Sequence, residues 1–316
     1  MTLQQLAYFV AVAETQHFTR AARACHVAQP SLSRQVSALE RELGAALFSR
    51  ARGNVALTAA GEVLLPLARR ILADTETART EVQELAGLRR GRLRLGATPS
   101  LTVTLVADVL RAYRDRYPGI ELMLTESGSR DLVDALQRGD LDLALVITPD
   151  SRGPTALTEQ PLLREDLMVA SAAGGPAPTR RKRFPIAELA ERPLVMFREG
   201  YDLRDATFAA CRQAGIRPRL AVEGGEMDAV LRLVEAGLGI AIVPTMVLDG
   251  RPRLRGTPLA PPGLARTIAL AHRTDVTLTR AAQAFRHLLL RHLAEAAKRG
   301  GLPRGVRRVR TQSSGA

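Results

Sequence analysis

Apolar residues in the first sixty positions recur at helical spacing, and the rhythm then changes. Leu3, Leu6, Val10 and Ala13 make one stripe, and Leu32, Val36, Leu39 and Leu43 a second, each suited to one buried helix face. Between them Thr19 is the predicted N-cap of a short second helix, since its hydroxyl can accept from an orphan first-turn amide. Pro30 is the predicted opening residue of the third helix, where its missing N–H costs nothing. This arrangement leaves Gln29, Ser31, Ser33, Arg34 and Gln35 facing outward at the start of the third helix. A helix fits the major groove of B-DNA, so residues 18–43 read as a helix-turn-helix.

The next run, from Leu47 to Thr58, predicts two short strands around a Gly53-Asn54 turn, a wing. Phe48, Val55 and Leu57 would pack inward, while Arg50 and Arg52 project toward phosphates or a narrow minor groove. The ordered set Ala21-Ala22-Arg23, Gln29-Pro30-Ser31-Leu32-Ser33, Leu39-Glu40, Leu43-Gly44, Leu47-Phe48, Arg50 and Leu57-Thr58-Ala59-Ala60-Gly61 resembles the LysR-type transcriptional regulators. Cys25 departs from the leucine usual there. The resemblance implies DNA contacts from Gln29, Pro30, Ser33, Arg34, Arg50 and Arg52. Thr19, Arg20 and Ser31 complete the candidate DNA-binding set. Two such modules related by a dyad would read an inverted repeat in double-stranded DNA.

From Thr58, a predicted cap, a long helix is expected to about Leu88, with Pro66 bending it. Leu64, Ala68, Ile71, Thr75, Ala78, Val82 and Leu85 alternate spacings of four and three, the period of a coiled-coil seam. The resemblance likewise implies dimerisation through this helix, with a tetramer through the following domain as a further expectation.

At Gly91 the period becomes strand-like. Predicted strands at 92–97, 120–124 and 141–147 alternate with helices at 101–117 and 132–137. A second unit follows, with strands at 193–197, 219–222 and 239–243, helices at 203–213 and 227–236, and a terminal helix at 278–297. Such alternation argues for parallel sheets covered on both faces. The fold class is therefore multidomain α and α/β. It combines an N-terminal winged helix-turn-helix (1–58), a linker helix (59–89) and a two-lobed effector domain (90–297). The lobes are expected at 91–160 with 270–297, and at 161–269. The two lobes resemble periplasmic binding proteins, with Gly139-Asp140-Leu141-Asp142 and Ala236-Gly237-Leu238-Gly239-Ile240 as anchors.

Ligands of open α/β sheets sit beyond the carboxyl ends of the strands. Those ends carry Thr98, Pro99, Ser100, Ser129, Thr148, Phe197, Arg198 and Glu223, the candidate effector site. Thr98 and Ser100 open a helix whose free amides favour an anion, and Arg198 would add a cation. The expected effector is a small anionic metabolite, although Glu223 would oppose an acid.

The net charge of +13 is placed unevenly. Residues 1–58 carry +3, Arg180-Arg181-Lys182-Arg183 carries +4, and residues 297–316 carry +6, leaving the remainder neutral. The Gly-, Ser- and Arg-rich 298–316 segment is expected to be a disordered basic tail, and the basic run to sit in a loop between two strands. Two cysteines, Cys25 and Cys211, cannot build a disulfide framework, which suits a reducing cytoplasm. No leader and no apolar run of membrane-spanning length is visible, so no membrane partner is expected. No metalloprotease, hydrolase or phosphate-loop motif is present, and His287 and His292 are five apart, off one metal-binding face. No cofactor, metal or catalysis is expected. With eleven aromatics, a single-strand stacking platform is disfavoured. The reading is a cytoplasmic transcription regulator with DNA, an effector, its own copies and RNA polymerase as partners. Two alternatives stay open: another helix-turn-helix regulator with an oxyanion-responsive sensor, and an enzyme on this scaffold.

Overall fold

The computed structural model describes residues 1–49, 55–84, 91–148 and 156–309. Contacts divide it into an N-terminal unit and a larger C-terminal unit.

The N-terminal unit opens with α1 (Leu3–Thr15), capped by Thr2, whose hydroxyl accepts from the Gln5 amide while the Gln5 side chain accepts from Thr2 N. Helices α2 (Phe18–Ala24) and α3 (Gln29–Leu43) follow, then the strand pair β1 (Phe48–Ser49) and β2 (Ala56–Leu57). The core gathers Leu6, Phe9, Val12, Leu32, Val36 and Leu39, all nearly solvent-free. Phe48 joins it from the wing, 5.4 Å from the Phe9 ring and edge-on to Phe18 at 5.8 Å. Glu40 ties the wing base to α3 by accepting from the Leu47 amide at 2.9 Å and the Phe48 amide at 3.3 Å. The Gly53-Asn54 turn lies outside the described residues.

Three local expectations shift. The α2 cap is His17, whose Nδ1 accepts from the Thr19 amide at 3.2 Å. Phe18 packs against Phe48, so the helix starts before Thr19 and places that residue inside its first turn. Helix α3 starts at Gln29, with Pro30 one position in, where its N–H would still have no intrahelical acceptor. Leu43 is 42% exposed, because the last turn runs past the core before Gly44 ends it at φ +67°.

Helix α4 (Ala59–Glu84) is capped as expected, Thr58 Oγ1 accepting from Gly61 N at 3.1 Å, and it continues through Pro66. Its seam differs from the expected one. Ala68 is fully buried in its own unit's core, with Leu64, Leu65 and Leu72 against it. The large apolar residues left exposed among its described positions are Val63, Leu67, Ile71 and Val82, a stripe one position earlier in its first half. Packing on α1 claims one side of the helix, so that side cannot face a partner. Leu85 lies outside the described residues.

The C-terminal unit holds two cores. The first lobe is built from β3 (Gly91–Ala97), α5 (Pro99–Leu101), a π-helical turn (Thr102–Val106), α6 (Ala107–Arg116), β4 (Ile120–Glu126), α7 (Ser129–Arg138) and β5 (Leu143–Thr148). A long strand, β6 (Leu157–Ala172), then runs from this lobe into the second. The second lobe contains β7 (Pro193–Met196), α8 (Asp202–Gln213), β8 (Arg219–Glu223), α9 (Met227–Glu235), β9 (Ala241–Pro244) and β10 (Leu254–Pro258). Strand β11 (Ala265–Arg273) returns to the first lobe, followed by α10 (Arg280–Lys298) and β12 (Val306–Arg308).

Strands β4, β3 and β5 are parallel, as are β7 and β8. The sheets are nevertheless mixed rather than purely parallel, because β11 pairs antiparallel with both β5 and β6. β6 pairs antiparallel with β9 and β10 in the second lobe. The sequence hid β6 because Pro161 and the charged Arg164-Glu165-Asp166 interrupt its apolar run. A register shift opposite Ile268/Ala269 leaves Leu162 without a partner on β11, and this bulge accommodates the neighbouring Pro161.

The expectation of a disordered tail from residue 298 is also corrected. β12 pairs with Leu163–Glu165 of β6, and Val306 joins the first lobe's core. One buried valine and a strand ladder hold a segment whose composition reads as solvated. Arg310 and the residues after it lie outside the described residues.

Phe285 of α10 is fully buried and packs edge-on to Tyr113 at 5.7 Å, while the Tyr113 hydroxyl donates to Ala281 O at 3.0 Å. Phe285→Ala is expected to destabilise the first lobe by about 3–5 kcal/mol, the usual cost of such a cavity. Urea unfolding followed by far-UV circular dichroism checks this, and a loss below about 1 kcal/mol would contradict the packing described.

Candidate DNA surface and ligand cleft

On the N-terminal unit, α3 buries Leu32, Val36 and Leu39 every three to four residues, which turns its opposite side outward. Gln29, Pro30 and Arg34 are exposed, and Ser31 and Ser33 are half-buried at the same end. Among the described residues the Arg34 guanidinium touches only the Pro30 carbonyl, through Nε at 3.3 Å, with no carboxylate paired to it. Thr19 and Arg20 are exposed on α2, and Arg20 Nη2 donates to Thr15 O at 2.8 Å. Gln35 is turned back toward α1, accepting from Gln5 Nε2 at 3.3 Å. The surface is therefore cationic and rich in donors, as contacts to phosphates and base edges require. Arg50 and Arg52 lie outside the described residues.

In the C-terminal unit, Thr98, Pro99 and Ser100 start the helix after β3 and are buried. Ser129 is buried where α7 starts. Its Oγ donates to Asp202 Oδ2 at 2.7 Å and accepts from Ile147 N at 2.9 Å, which links the two lobes. Gly128 comes equally close to the second lobe: a Cβ there would stand 2.8 Å from Gly200 O. Phe197 is buried and stacks on Tyr201, centroids 4.7 Å apart and planes 8° from parallel. Thr148 is half-buried, its hydroxyl 3.4 Å from Thr267 O.

Two expected members stand differently. Arg198 is held by Glu226 at 2.7 Å and by its neighbour's carbonyl, so it supplies no spare cation. Glu223 is paired with Arg204 near the surface. A buried cation stands beside Ser100 instead: Arg266, on β11. Its Nη1 donates to Ser100 Oγ at 2.9 Å and its Nε to Glu165 Oε2 at 2.9 Å. Glu165, fully buried on β6, accepts from Met246 N through its other oxygen at 2.7 Å.

Tyr201, Asp202, Glu165 and Arg266 were not anticipated from the sequence. Arg266 could have been noticed, since it interrupts the apolar Ala265–Ala271 run of a strand, a costly place for an unpaired charge. The others had no signal, because their partners are distant in the chain.

Burial pushes the Tyr201 phenol well above its ordinary range; Arg266 opposes the shift, and Glu226, Asp202 and Glu126 add to it. Burial also raises the Asp202 carboxyl, against the hydrogen bonds from Ser129 and the charge of Arg266. Thr98 Oγ1 and the Tyr201 hydroxyl are buried without a hydrogen-bond partner among the described residues, and Arg266 Nη2 has only its charge contact with Glu165. Buried polar atoms in a native protein are nearly always bonded. Together these residues offer hydroxyls, a cation and a buried carboxylate suited to a small polar ligand. Among the described residues no group of His, Cys, Asp or Glu could hold a metal, and no helix is long and apolar enough to cross a membrane.

Comparison with known proteins matches residues 3–62 to the bacterial regulatory helix-turn-helix proteins of the lysR family and residues 86–294 to the LysR substrate binding domain. A probable hydrogen peroxide-inducible genes activator of Streptomyces viridosporus is 36% identical, the alignment covering 86% of this chain and 88% of the relative. A full-length OxyR variant from Pseudomonas aeruginosa superposes with a TM-score of 0.69 at 28% identity, covering 92% of this chain and 94% of that one. Full-length CbnR in complex with its target DNA superposes with a TM-score of 0.67 at 27% identity, over 92% and 99%.

The raised Asp202 pKa makes a signed prediction. The folded state holds this proton more tightly than the unfolded chain, so Asp202 favours folding below its unfolded pKa of about 3.9 and loses that contribution as pH rises through the folded value. Asp202→Asn keeps the acceptor for Ser129 but no charge. The variant's melting temperature is expected to exceed the wild type's near neutral pH, with the difference shrinking on acidification. A difference that is constant across that range would show that the carboxyl is not held above its ordinary value.

Proposed function

The chain belongs to the LysR family of bacterial transcriptional regulators, and we propose that it grips an inverted-repeat operator as a dimer and alters that grip when a small ligand enters its cleft. The observation that carries this reading is the outward, unpaired edge of α3 at Pro30 and Arg34 above a closed apolar core. A cationic helix edge of this kind can read bases only if nothing in its own unit covers it. The solved relative bound to its target DNA supports the reading.

The dimer contact we assign to the exposed apolar stripe of α4, from Val63 through Leu67 and Ile71 to Val82. A partner helix laid along it would remove those side chains from water. Pairing of the C-terminal units into a tetramer and contact with RNA polymerase complete the proposal, which places the regulator in the cytoplasm.

For the ligand we propose a small acid that also carries a hydrogen-bond donor. Its acidic group would meet Thr98, Ser100 and the Arg266 guanidinium at the helix start. Its donor would meet Asp202, close to Ser129 and to the Phe197–Tyr201 stack. Glu165 neutralises much of the Arg266 charge, so charge alone does not select the ligand; the hydroxyls and Asp202 must take part. Ligand control requires differential affinity for two arrangements of the lobes.

The peroxide response in the names of some relatives is not favoured here. Cys211 is the one cysteine in the C-terminal unit; it is 1% exposed and burial raises its thiol, whereas reaction with peroxide needs an accessible thiolate.

Arg34→Ala is expected to relax preference at one base position by about 1–3 kcal/mol, whereas Arg52→Ala should weaken all sequences alike and lower the salt slope by about one. Fluorescence anisotropy on operator variants over a salt series separates the two, and wild-type affinity in the double variant would overturn both. Thr98→Ala with Ser100→Ala should abolish the calorimetric heat of a carboxylate ligand; an unchanged heat would move the ligand out of the cleft.

A further inference from the structure

A groove of about 870 Å³ opens where β6 and β11 cross between the lobes, apart from Thr98, Ser100 and Asp202. That volume falls in the ordinary range of ligand sites, about 300–1,000 Å³. Its charged lining is Arg164, Arg183, Arg304 and Arg307 against a single carboxylate, Asp166. Arg307 Nη1 lies 3.4 Å from Asp166 Oδ1, and both side chains are at least half exposed, so this pairing is loose. Arg183 touches only a carbonyl, that of Leu259 at 3.4 Å, and Arg304 forms no ion pair among the described residues. Among the described residues no carboxylate pairs with Arg183 or Arg304, so the groove carries at least two positive charges that Asp166 does not neutralise.

Its walls are held in place. Phe184, fully buried, exchanges backbone hydrogen bonds with Pro258 and Ala260 at 2.8 Å and so fixes Arg183 at the rim. On the other side, β12 is anchored by Val306, and Gly305 at φ +82° brings the chain against Asp166 and Thr245. A Cβ at Gly305 would come within 3.3 Å of both, so only glycine lets the strap carrying Arg304 and Arg307 lie this close. The Pro258–Leu264 side is largely apolar, and Leu167 and Met168 also line the groove.

We propose that this groove is a second ligand site, for a small molecule bearing two or more negative charges on a compact body. Guanidinium groups suit phosphate and carboxylate oxygens through paired charge-assisted bonds, and several converging on one space favour a polyanion over a monoanion. Arg183 belongs to the second lobe and Arg164, Arg304 and Arg307 to the first. A polyanion would therefore bridge the lobes and feel any change in the angle between them. By reciprocity its binding and that of the cleft ligand would alter each other.

Isothermal titration of the full chain at fixed ionic strength tests this, with inorganic pyrophosphate and citrate as probes for the phosphate and polycarboxylate sources and chloride as the control. Saturable binding of at least one probe is expected, about tenfold weaker in Arg183→Ala and in Arg304→Ala, whose side chains are exposed and not needed for folding. Arg111→Ala, at an exposed arginine of α6 outside both sites, should leave it unchanged. Equal binding by wild type and by the Arg183→Ala/Arg304→Ala/Arg307→Ala variant would overturn the proposal. So would the absence of saturation at millimolar probe, or heat reproduced by chloride alone.

Discussion

One buried ion pair organises the C-terminal unit. Glu165 sits on β6 where that strand leaves the first lobe, and Arg266 on β11 where the chain comes back. Their carboxylate and guanidinium close both crossings on each other and reach two further elements, the Met246 amide after β9 and the Ser100 hydroxyl at the start of the helix after β3. A buried charge without its partner is costly, by about 3–5 kcal/mol when one member is removed. The two crossing strands cannot slide independently without exposing that cost. The pair therefore fixes the point about which the lobes are joined, and with it the position of Ser100 in the cleft.

The same pair limits what the cleft can recognise. A cation already satisfied by a carboxylate attracts an acid weakly, so recognition must come from directed hydrogen bonds, and the hydroxyls of Thr98 and Tyr201 are buried without partners among the described residues. Asp202, bound to Ser129 across the lobes, is both a contact that closes the cleft and a group a ligand could engage. Closure and recognition thus share atoms. That sharing gives a small ligand leverage over the arrangement of the lobes, since whatever competes for Asp202 also changes how the lobes are held.

The N-terminal unit separates its tasks more simply. Every third or fourth side chain of α3 is committed to the core, and the intervening ones are left to solvent. Such a helix can change its exposed residues with little effect on stability, while Leu32, Val36 and Leu39 hold its orientation. Helix α4 is divided the same way, with Ala68 against its own core and Leu67 outward.

Much of this was legible in the chain. Periodicity of apolar positions located the helices, the parallel strand β5 was marked by a continuous apolar run, and β3 and β4 by apolar residues set between charged ones, because local packing repeats with the geometry of the element itself. The outward edge of α3 and the buried Thr98, Ser100, Ser129 and Phe197 followed from the same regularities. What only the tertiary structure decided depends on partners far apart in sequence. Strand β6 carries charges in its middle because Arg266, 101 positions on, neutralises Glu165. Arg198 is spent on Glu226, and the segment around Val306 is ordered because β6 presents it with an open edge. A sequence records which side chains are polar; whether a polar side chain is paired, and so whether it can be buried or must find a ligand, is settled only when the chain folds back on itself.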